Sequence, residues 1–344
     1  MPKISVIIPH AGGAEILQQC LASLGASQGV QFETIIVDNG SPEALKREDC
    51  FKYTEVQILH FKCKLGFAAA CNRGVEAASG DYVFLLNNDA TVEPNTLKTL
   101  CDLLDRSPEL GACQPKILSL ANPGCFDYSS ACGGEMDRYG FPFARGRIFE
   151  TIEQDRGQYN DTREVFWGAG SALMLRKRLY LDAGGLEEPF FAHMEEIDLL
   201  WRIQLMGFRV VAHPAAIVSH LGAATIRSGS FTKMYLNQRN SLAMLFRNYG
   251  TSSLIKYLPG RLVFDLILLT VSLFQINFER LWSVLRADLW FWTSLPYLVK
   301  GRIRVQRLRL TPERIVLNRI YSKSIVWQYF VRKRRTWHEV MSAV

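Results

Sequence analysis

An alternation of strand-like and helix-like segments over the first 120 residues limits this chain's fold more than any other feature. Ile4–Ile8 reads as a buried strand. Glu15–Leu24 reads as a helix with Ile16, Leu17, Cys20, Leu21 and Leu24 on one face. Thr34–Val37 and Val56–Leu59 predict two more strands. An Ala-rich helix is expected over Gly66–Ala78, a strand from Tyr82 ending at Asn87, and a helix over Pro94–Asp105. Strands separated by helices pair in parallel through right-handed crossovers. The expected class is therefore α/β, a Rossmann-like, mostly parallel sheet with helices on both faces. Ligands of such sheets bind outside the carboxyl ends of the strands.

Beyond residue 118 the pattern changes. Residues 119–165 are rich in Gly, Pro and aromatics without a clear period, and are read as an irregular insertion lining a substrate cleft. Val165–Leu175 predicts a strand, Glu195–Met206 a helix stopped by Gly207, and Phe208–Val211 a short strand. From residue 251 to the end there are 16 Lys and Arg against 5 Asp and Glu, a net +11 within a chain of +7, so the first 250 residues carry −4. Five of the seven tryptophans (Trp282, Trp290, Trp292, Trp327, Trp337) lie in this tail. Two units are expected: 1–250, carrying the site, and 251–344, basic and helical.

Leu262–Ile276 is almost wholly apolar, but its 15 residues fall short of the ~20 that span a bilayer. Cations cluster at Lys300, Arg302, Arg304, Arg307 and Arg309, and again at Arg332–Arg335. Apolar stretches with Trp and flanking cations suit helices lying in an anionic membrane interface. The alternative is a helical subdomain packed on the body. Apolar stretches between the cations argue against nucleic acid as the partner. The eight cysteines form no CxxC pair, and several fall within apolar helical patterns. They fit reduced core thiols, and no signal-peptide pattern precedes Ile4, so a cytoplasmic protein on the inner face of the cell membrane is expected.

Acidic residues end strands where a ligand would bind. Asp38 follows the second strand, Asp89 a later one, and Glu195, Glu196 and Asp198 open a helix. One carboxylate can accept from a base or ribose, a second can hold a divalent metal with its phosphates, and a third can take a proton from an attacking hydroxyl. Each has a plainer reading too. Asp89 is a fitting helix cap, and the acidic turn complements a helix dipole. Asp198 is placed to cap, orient, or pair with Arg202 one turn later.

The ordered motifs Val6-Ile7-Ile8-Pro9, Val37-Asp38-Asn39-Gly40-Ser41, Gly66-Phe67-Ala68-Ala69-Ala70-Cys71-Asn72-Arg73-Gly74, Leu86-Asn87-Asn88-Asp89-Ala90, Trp167-Gly168-Ala169-Gly170-Ser171 and Phe191-Ala192-His193-Met194-Glu195-Glu196-Ile197-Asp198-Leu199 resemble family 2 glycosyltransferases. Bacterial rhamnosyltransferases of cell-surface polysaccharide synthesis are the most similar branch. The resemblance covers about residues 3–250. It implies a GT-A fold, a nucleotide-diphosphate sugar donor, a divalent metal (Mg²⁺ or Mn²⁺) and inversion at the anomeric carbon. By the same resemblance Pro9, Asp38, Gly66, Asn72, Asn87 and Asn88 fall on the nucleotide-sugar side, and Asp89 and His220 on the metal. Glu196 falls at the general base, with Glu195 and Asp198 as alternatives. Trp167 and Gly168 are candidates for the acceptor side, with Trp167 either stacking on an acceptor sugar or filling the core, and close packing explains Gly66 as well as phosphate approach does.

Two residues depart from the family pattern. Asn87 replaces the first acid of the metal-binding DxD, leaving Asp89 as its one carboxylate. Glu196 stands where Asp is usual, one methylene longer. The reading is of an inverting transferase, with dTDP-rhamnose as first candidate donor and a saccharide or lipid-linked glycan as acceptor. A sugar nucleotidyltransferase would carry a basic Gly-rich loop after the first strand, and Pro9-His10-Ala11-Gly12-Gly13 has no Lys or Arg. A non-catalytic scaffold keeping the fold is the third reading.

Overall fold

The computed structural model describes every residue except 1–2, 44, 47–49, 51–54, 130, 223–228 and 343–344. In chain order the elements are β1 (Ile4–His10), α1 (Ala14–Gly25), β2 (Phe32–Asn39), β3 (Val56–Phe61), α2 (Phe67–Ala77), β4 (Tyr82–Leu86), β5 (Ala90–Val92), α3 (Thr96–Arg106) and β6 (Leu110–Ser119). Four short strands follow: β7 (Gly134–Met136), β8 (Pro142–Ala144), β9 (Arg147–Ile148) and β10 (Thr151–Ile152). Then come β11 (Arg163–Glu164), β12 (Ala172–Arg176), α4 (Lys177–Asp182), α5 (Glu195–Leu205) and β13 (Arg209–His220). The remainder is helical: α6 (Phe231–Asn248), α7 (Thr251–Phe274), α8 (Phe278–Thr293), α9 (Leu295–Arg307), α10 (Glu313–Leu317) and α11 (Trp337–Met341).

The main sheet runs β11-β13-β6-β12-β4-β1-β2-β3, with β5 on β13. The half made of β3, β2, β1 and β4 is parallel. From β1 to β2 the chain steps one way across the sheet, and from β3 to β4 the other. Right-handed crossovers then place α1 and α2 on opposite faces, and the step reverses between β1 and β4. The α/β class is as expected, but the sheet is mixed. β12 lies antiparallel between β4 and β6, because the chain reaches it from a long insertion rather than a helical crossover.

Three other expectations change. Residues 119–165 are not wholly irregular: β7–β10 form an antiparallel sheet of two- and three-residue strands, too short to show a period. The strand expected over Val165–Leu175 is broken, with β12 starting only at Ala172. The short strand expected at Phe208–Val211 is the start of the 12-residue β13. Its register on β6 shifts between His213 and Ile217, around Pro214, which lacks the N–H a ladder needs.

The apolar tail run belongs to a 24-residue helix, α7, with Pro259 inside it. By length and composition α7 is long enough to cross a membrane. Its first half is nonetheless seated on protein. Buried Arg261 pairs with buried Asp265 and donates to Ser241 Oγ (2.7 Å), Gln238 Oε1 (2.9 Å) and Tyr139 O (3.1 Å). Several cations expected to face lipid also bind protein groups, although the Arg304 side chain stays exposed. Arg302 donates to Phe246 O and Tyr249 O at 2.6 Å, Arg309 to Asn248 O at 2.6 Å, and Arg304 to Glu187. Trp337 is buried beneath Arg145 and Arg163, while Trp282, Trp292 and Trp327 are exposed.

Candidate active site

The site forms where the winding reverses. β1 ends at His10 and β4 at Leu86, so the Asn87-Asn88-Asp89 turn emerges beside the end of β1. The half-buried Asn88 amide lies 3.0 Å from His10 Nδ1 and donates to Gly12 O (3.2 Å). His10 is buried, which lowers its pKa against the opposing pull of Asp38. Pro9 precedes it, paired with Val37 of β2. Asp38, near the end of β2, accepts from Ser41 N and Leu45 N (both 3.2 Å) and lies 3.1 Å from His60 Nδ1. Burial would raise its pKa, but the bonds from Ser41, His60 and Leu45 outweigh that and hold it below the usual range.

Asp89 meets His220 because β5 pairs antiparallel with β13, setting His220 opposite Ala90. His220 Nε2 is 3.0 Å from Asp89 Oδ1 and 3.1 Å from the Asn87 amide. Its Nδ1 lies 3.2 Å from Asp127 Oδ2, and Asp127 Oδ1 accepts from Ser129 N at 2.7 Å. Burial alone would lower the His220 pKa, but bonds to two carboxylates push it up to about 10. Asp127 was not anticipated: it lies in the insertion, and no sequence signal links it to His220. A carboxylate on the far nitrogen of a ligating His fixes the tautomer that presents the near one. Among the described residues no three His, Cys, Asp or Glu side chains form a metal cage. Asp89 and His220 still suit Mg²⁺ or Mn²⁺, which bind through one or two protein ligands and complete their shell with phosphate and water.

The acidic turn of α5 separates into three environments. Asp198 is fully buried, accepts from Arg202 Nε (2.9 Å) and Asn248 Nδ2 (2.7 Å), and lies 3.9 Å from Arg247. That corrects its place among the candidate bases: both its oxygens are engaged in a buried ion network that fastens α5 to α6. Glu195 is buried as well, and burial together with Glu196 raises its pKa strongly. Glu196 is half-buried, accepts backbone N–H bonds from its own residue, Gly170 and Ile197, and leaves its Oε2 without a partner. Burial outweighs those bonds and pushes its pKa up to about 7, a value suited to a base near neutrality.

The structure shows what engages four further candidates. The Asn72 side chain is wholly engaged: Tyr180 Oη (2.6 Å) and Leu186 N (2.9 Å) donate to it, and it donates to Leu186 O (2.9 Å) and Glu188 Oε1 (3.2 Å). An amide has no capacity beyond these four bonds, so Asn72 fastens the segment before α5 and has nothing left for a nucleotide. Trp167 is core, its Nε1 donating to Glu135 O (2.8 Å) and its ring over Gly134, where a Cβ would lie 2.0 Å away. Gly168 is buried against Leu173 and Gln114. Gly66 has φ +91°, and a Cβ there would fall 2.5 Å from the Phe191 ring.

The two halves of the site share one turn. Asn87 N donates to Ser171 O at 3.0 Å, while the preceding residue, Gly170, bonds Glu196. The family profile described as "Glycosyl transferase family 2" matches residues 5–179. The chain is a family 2 glycosyltransferase. This glycosyltransferase is 28% identical over 218 residues to an N-acetylglucosaminyl-diphospho-decaprenol L-rhamnosyltransferase of Mycobacterium tuberculosis, covering 59% of this chain and 71% of that one. It is also 28% identical over 225 residues to that organism's pre-mycofactocin glycosyltransferase, covering 63% of this chain and 42% of that one. Its GT-A fold is shared with S. aureus TarS 1–349 bound to UDP-GlcNAc (TM-score 0.53, 15% identity, 93% of both chains). It is shared as well with GalNAc-T7 bound to UDP, GalNAc and Mn²⁺ (TM-score 0.57, 14% identity, 72% of this chain and 48% of that one).

Proposed function

We propose that this glycosyltransferase moves a sugar, with inversion, from a nucleoside-diphosphate donor to a hydroxyl of a saccharide or lipid-linked glycan at a membrane surface. One observation carries the reading. Asn87, whose side-chain amide meets His220 of the Asp89–His220 pair, bonds Ser171 through its backbone, and the Glu196 carboxyl bonds the adjacent Gly170 while its Oε2 stays without a partner. A leaving diphosphate and an attacking hydroxyl need that arrangement on opposite sides of a sugar.

In this reading Asp38 and the His10–Asn88 pair hold the nucleoside. Asp89 and His220 would hold a divalent cation, and Asp127 fixes the His220 ring. A divalent metal there supplies charge neutralisation for the departing diphosphate. Glu196 Oε2 takes the acceptor proton as the hydroxyl attacks the anomeric carbon. Burial of the Glu196 carboxyl keeps its pKa raised. The rhamnosyltransferase relative supports dTDP-rhamnose as the first donor to test and a lipid-linked GlcNAc as the first acceptor.

Residues 1–250 are the catalytic unit in this proposal, and 251–344 seat it on the membrane. Exposed Phe278, Trp282, Leu285, Leu289 and Trp292 repeat at helical spacing along one face of α8. Beside them the end of α7 exposes Leu266, Ile267, Leu273 and Phe274. An amphipathic surface with Trp suits the headgroup boundary of a bilayer. The test is turnover of dTDP-rhamnose, UDP-GlcNAc and GDP-Man with Mn²⁺ and a prenyl-diphosphate GlcNAc acceptor. Transfer from one donor with inverted anomeric configuration is expected. Retention of configuration would refute the single-base mechanism, and turnover of no donor would refute the transferase reading.

A further inference from the structure

Glu196 sits where it does because of the loop that precedes it. Between the single 3₁₀ turn Glu188–Phe190 and α5, three side-chain-bearing residues lie in the left-handed region: Phe191 (φ 66°), His193 (φ 70°) and Met194 (φ 71°). L residues avoid that region, and such backbone persists only where its surroundings over-determine it. Met194 is the N-cap of α5 and offers no side-chain cap, so the loop's conformation sets where the helix starts and where Glu196 points.

The surroundings that hold the loop lie on α6. Asn240 is fully buried, and its Nδ2 lies 3.0 Å from Phe190 O, 3.0 Å from Ala192 O and 2.7 Å from His193 O. Its Oδ1 accepts from Arg239 Nε at 2.8 Å. Arg239 in turn donates to Pro189 O (2.7 Å) and Phe190 O (3.0 Å), with its guanidinium 5.2 Å from the Trp290 ring centroid. Two neighbouring residues thus satisfy four carbonyls of one five-residue stretch. From the opposite side Ala68 N donates to Phe191 O (3.3 Å), and the Phe191 ring covers Gly66. A helix interior needs no such side chain for its own stability: the Asn240 Nδ2 is spent wholly on the loop, and its Oδ1 on Arg239, which bonds the same loop.

We propose that Asn240 is a positioning residue for sugar transfer: by gathering the carbonyls of Phe190, Ala192 and His193 it holds the strained loop that aims Glu196 at the acceptor. This rests on Glu196 being the base. Removing the amide frees Phe191, His193 and Met194 to relax, and the first turn of α5 moves with them. A displacement of about 1 Å at a reacting group costs on the order of 10²-fold in rate. The nucleotide side is built on β1, β2 and β4 and meets this loop at Gly66 and Ala68.

The experiment compares wild type, Glu196→Gln, Asn240→Ala and Asn240→Ala/Met194→Gly as full chains. Turnover is read with dTDP-rhamnose, UDP-GlcNAc and GDP-Man in the presence of Mn²⁺, with donor Kd and a pH–rate profile. Asn240→Ala should lower kcat about 10²-fold with donor Kd within about twofold. Its acid limb should move to lower pH, because a loosened Glu196 is better hydrated. Glycine takes positive φ without steric cost, so adding Met194→Gly should restore part of kcat. A merely structural Asn240 would lower thermal stability and leave the acid limb in place, which would overturn the proposal, as would a kcat within about threefold of wild type. Should Asn240→Ala not fold, Arg239→Met, at a half-buried side chain, carries the same test with a loss of roughly tenfold expected. An inactive wild type overturns the transferase reading and an active Glu196→Gln the base assignment, so these failures are separable from failure of the Asn240 proposal.

Discussion

Two substitutions two residues apart on α5 should behave in opposite ways. Asp198→Ala removes a carboxylate with no exposure that accepts from Arg202 and Asn248 and lies 3.9 Å from Arg247. Both arginines are buried, so their charges would stay behind with only Glu187 opposite. Breaking a buried pair by deleting one partner costs about 3–5 kcal/mol, on the order of 10 °C in Tm for a chain of this size. Glu196→Gln removes a charge that burial disfavours. Holding a carboxyl up at about 7, against an ordinary 4.5, costs the folded protein up to ~3 kcal/mol once it is ionised. The sign follows from proton binding: between pH 4.5 and 7 the folded state holds a proton that the unfolded state has lost. Wild-type stability from this group therefore falls as pH rises through that window, and Glu196→Gln lacks the decline. Thermal unfolding at pH 5 and pH 8, paired with turnover, measures all of this. Glu196→Gln should equal or exceed wild type in Tm at pH 8 while losing transfer. Asp198→Ala should lose Tm at both values. An Asp198→Ala protein as stable as wild type, or a Glu196→Gln protein that still transfers, would refute the division of roles.

Asp127→Ala should weaken Mn²⁺-dependent donor binding about 10–100-fold while leaving Asp89 and His220 in place, measured by titrating Mn²⁺ at fixed donor. The rate of transfer should fall below about pH 7 as Glu196 takes up a proton, and a pH–rate profile with no acid limb in that region would count against it as base. Replacing exposed Phe274 and Trp282 with Glu should abolish sedimentation with phosphatidylglycerol vesicles yet leave turnover on a water-soluble acceptor unchanged. Undiminished vesicle binding would place the membrane contact elsewhere.

The parallel half of the sheet was legible because its strands are apolar runs separated by periodic helices, a local signal. The antiparallel turn of β12 was not, since pairing of Ala172–Arg176 with Tyr82–Leu86 depends on how the insertion returns the chain. Asp38, Asp89 and Glu196 could be read as candidates because carboxylates at strand ends and helix starts are visible in order. Their fates could not. Asp198 and Asn72 are occupied by partners 50 and more than 100 residues away, Asn248 and Leu186. Asp127 and Asn240 carry no local pattern, and only the fold shows what they hold. The tail's charge was visible, but whether Arg302 and Arg309 face lipid or backbone carbonyls is a tertiary fact.

The most direct measurement is calorimetric binding of dTDP-rhamnose, UDP-GlcNAc and GDP-Man, with and without Mn²⁺, to wild type and to Asp89→Ala. Binding of one donor that requires the metal and is lost in Asp89→Ala is the expected result. Equal donor binding by wild type and Asp89→Ala, indifferent to Mn²⁺, would contradict the role given to the Asp89–His220 pair.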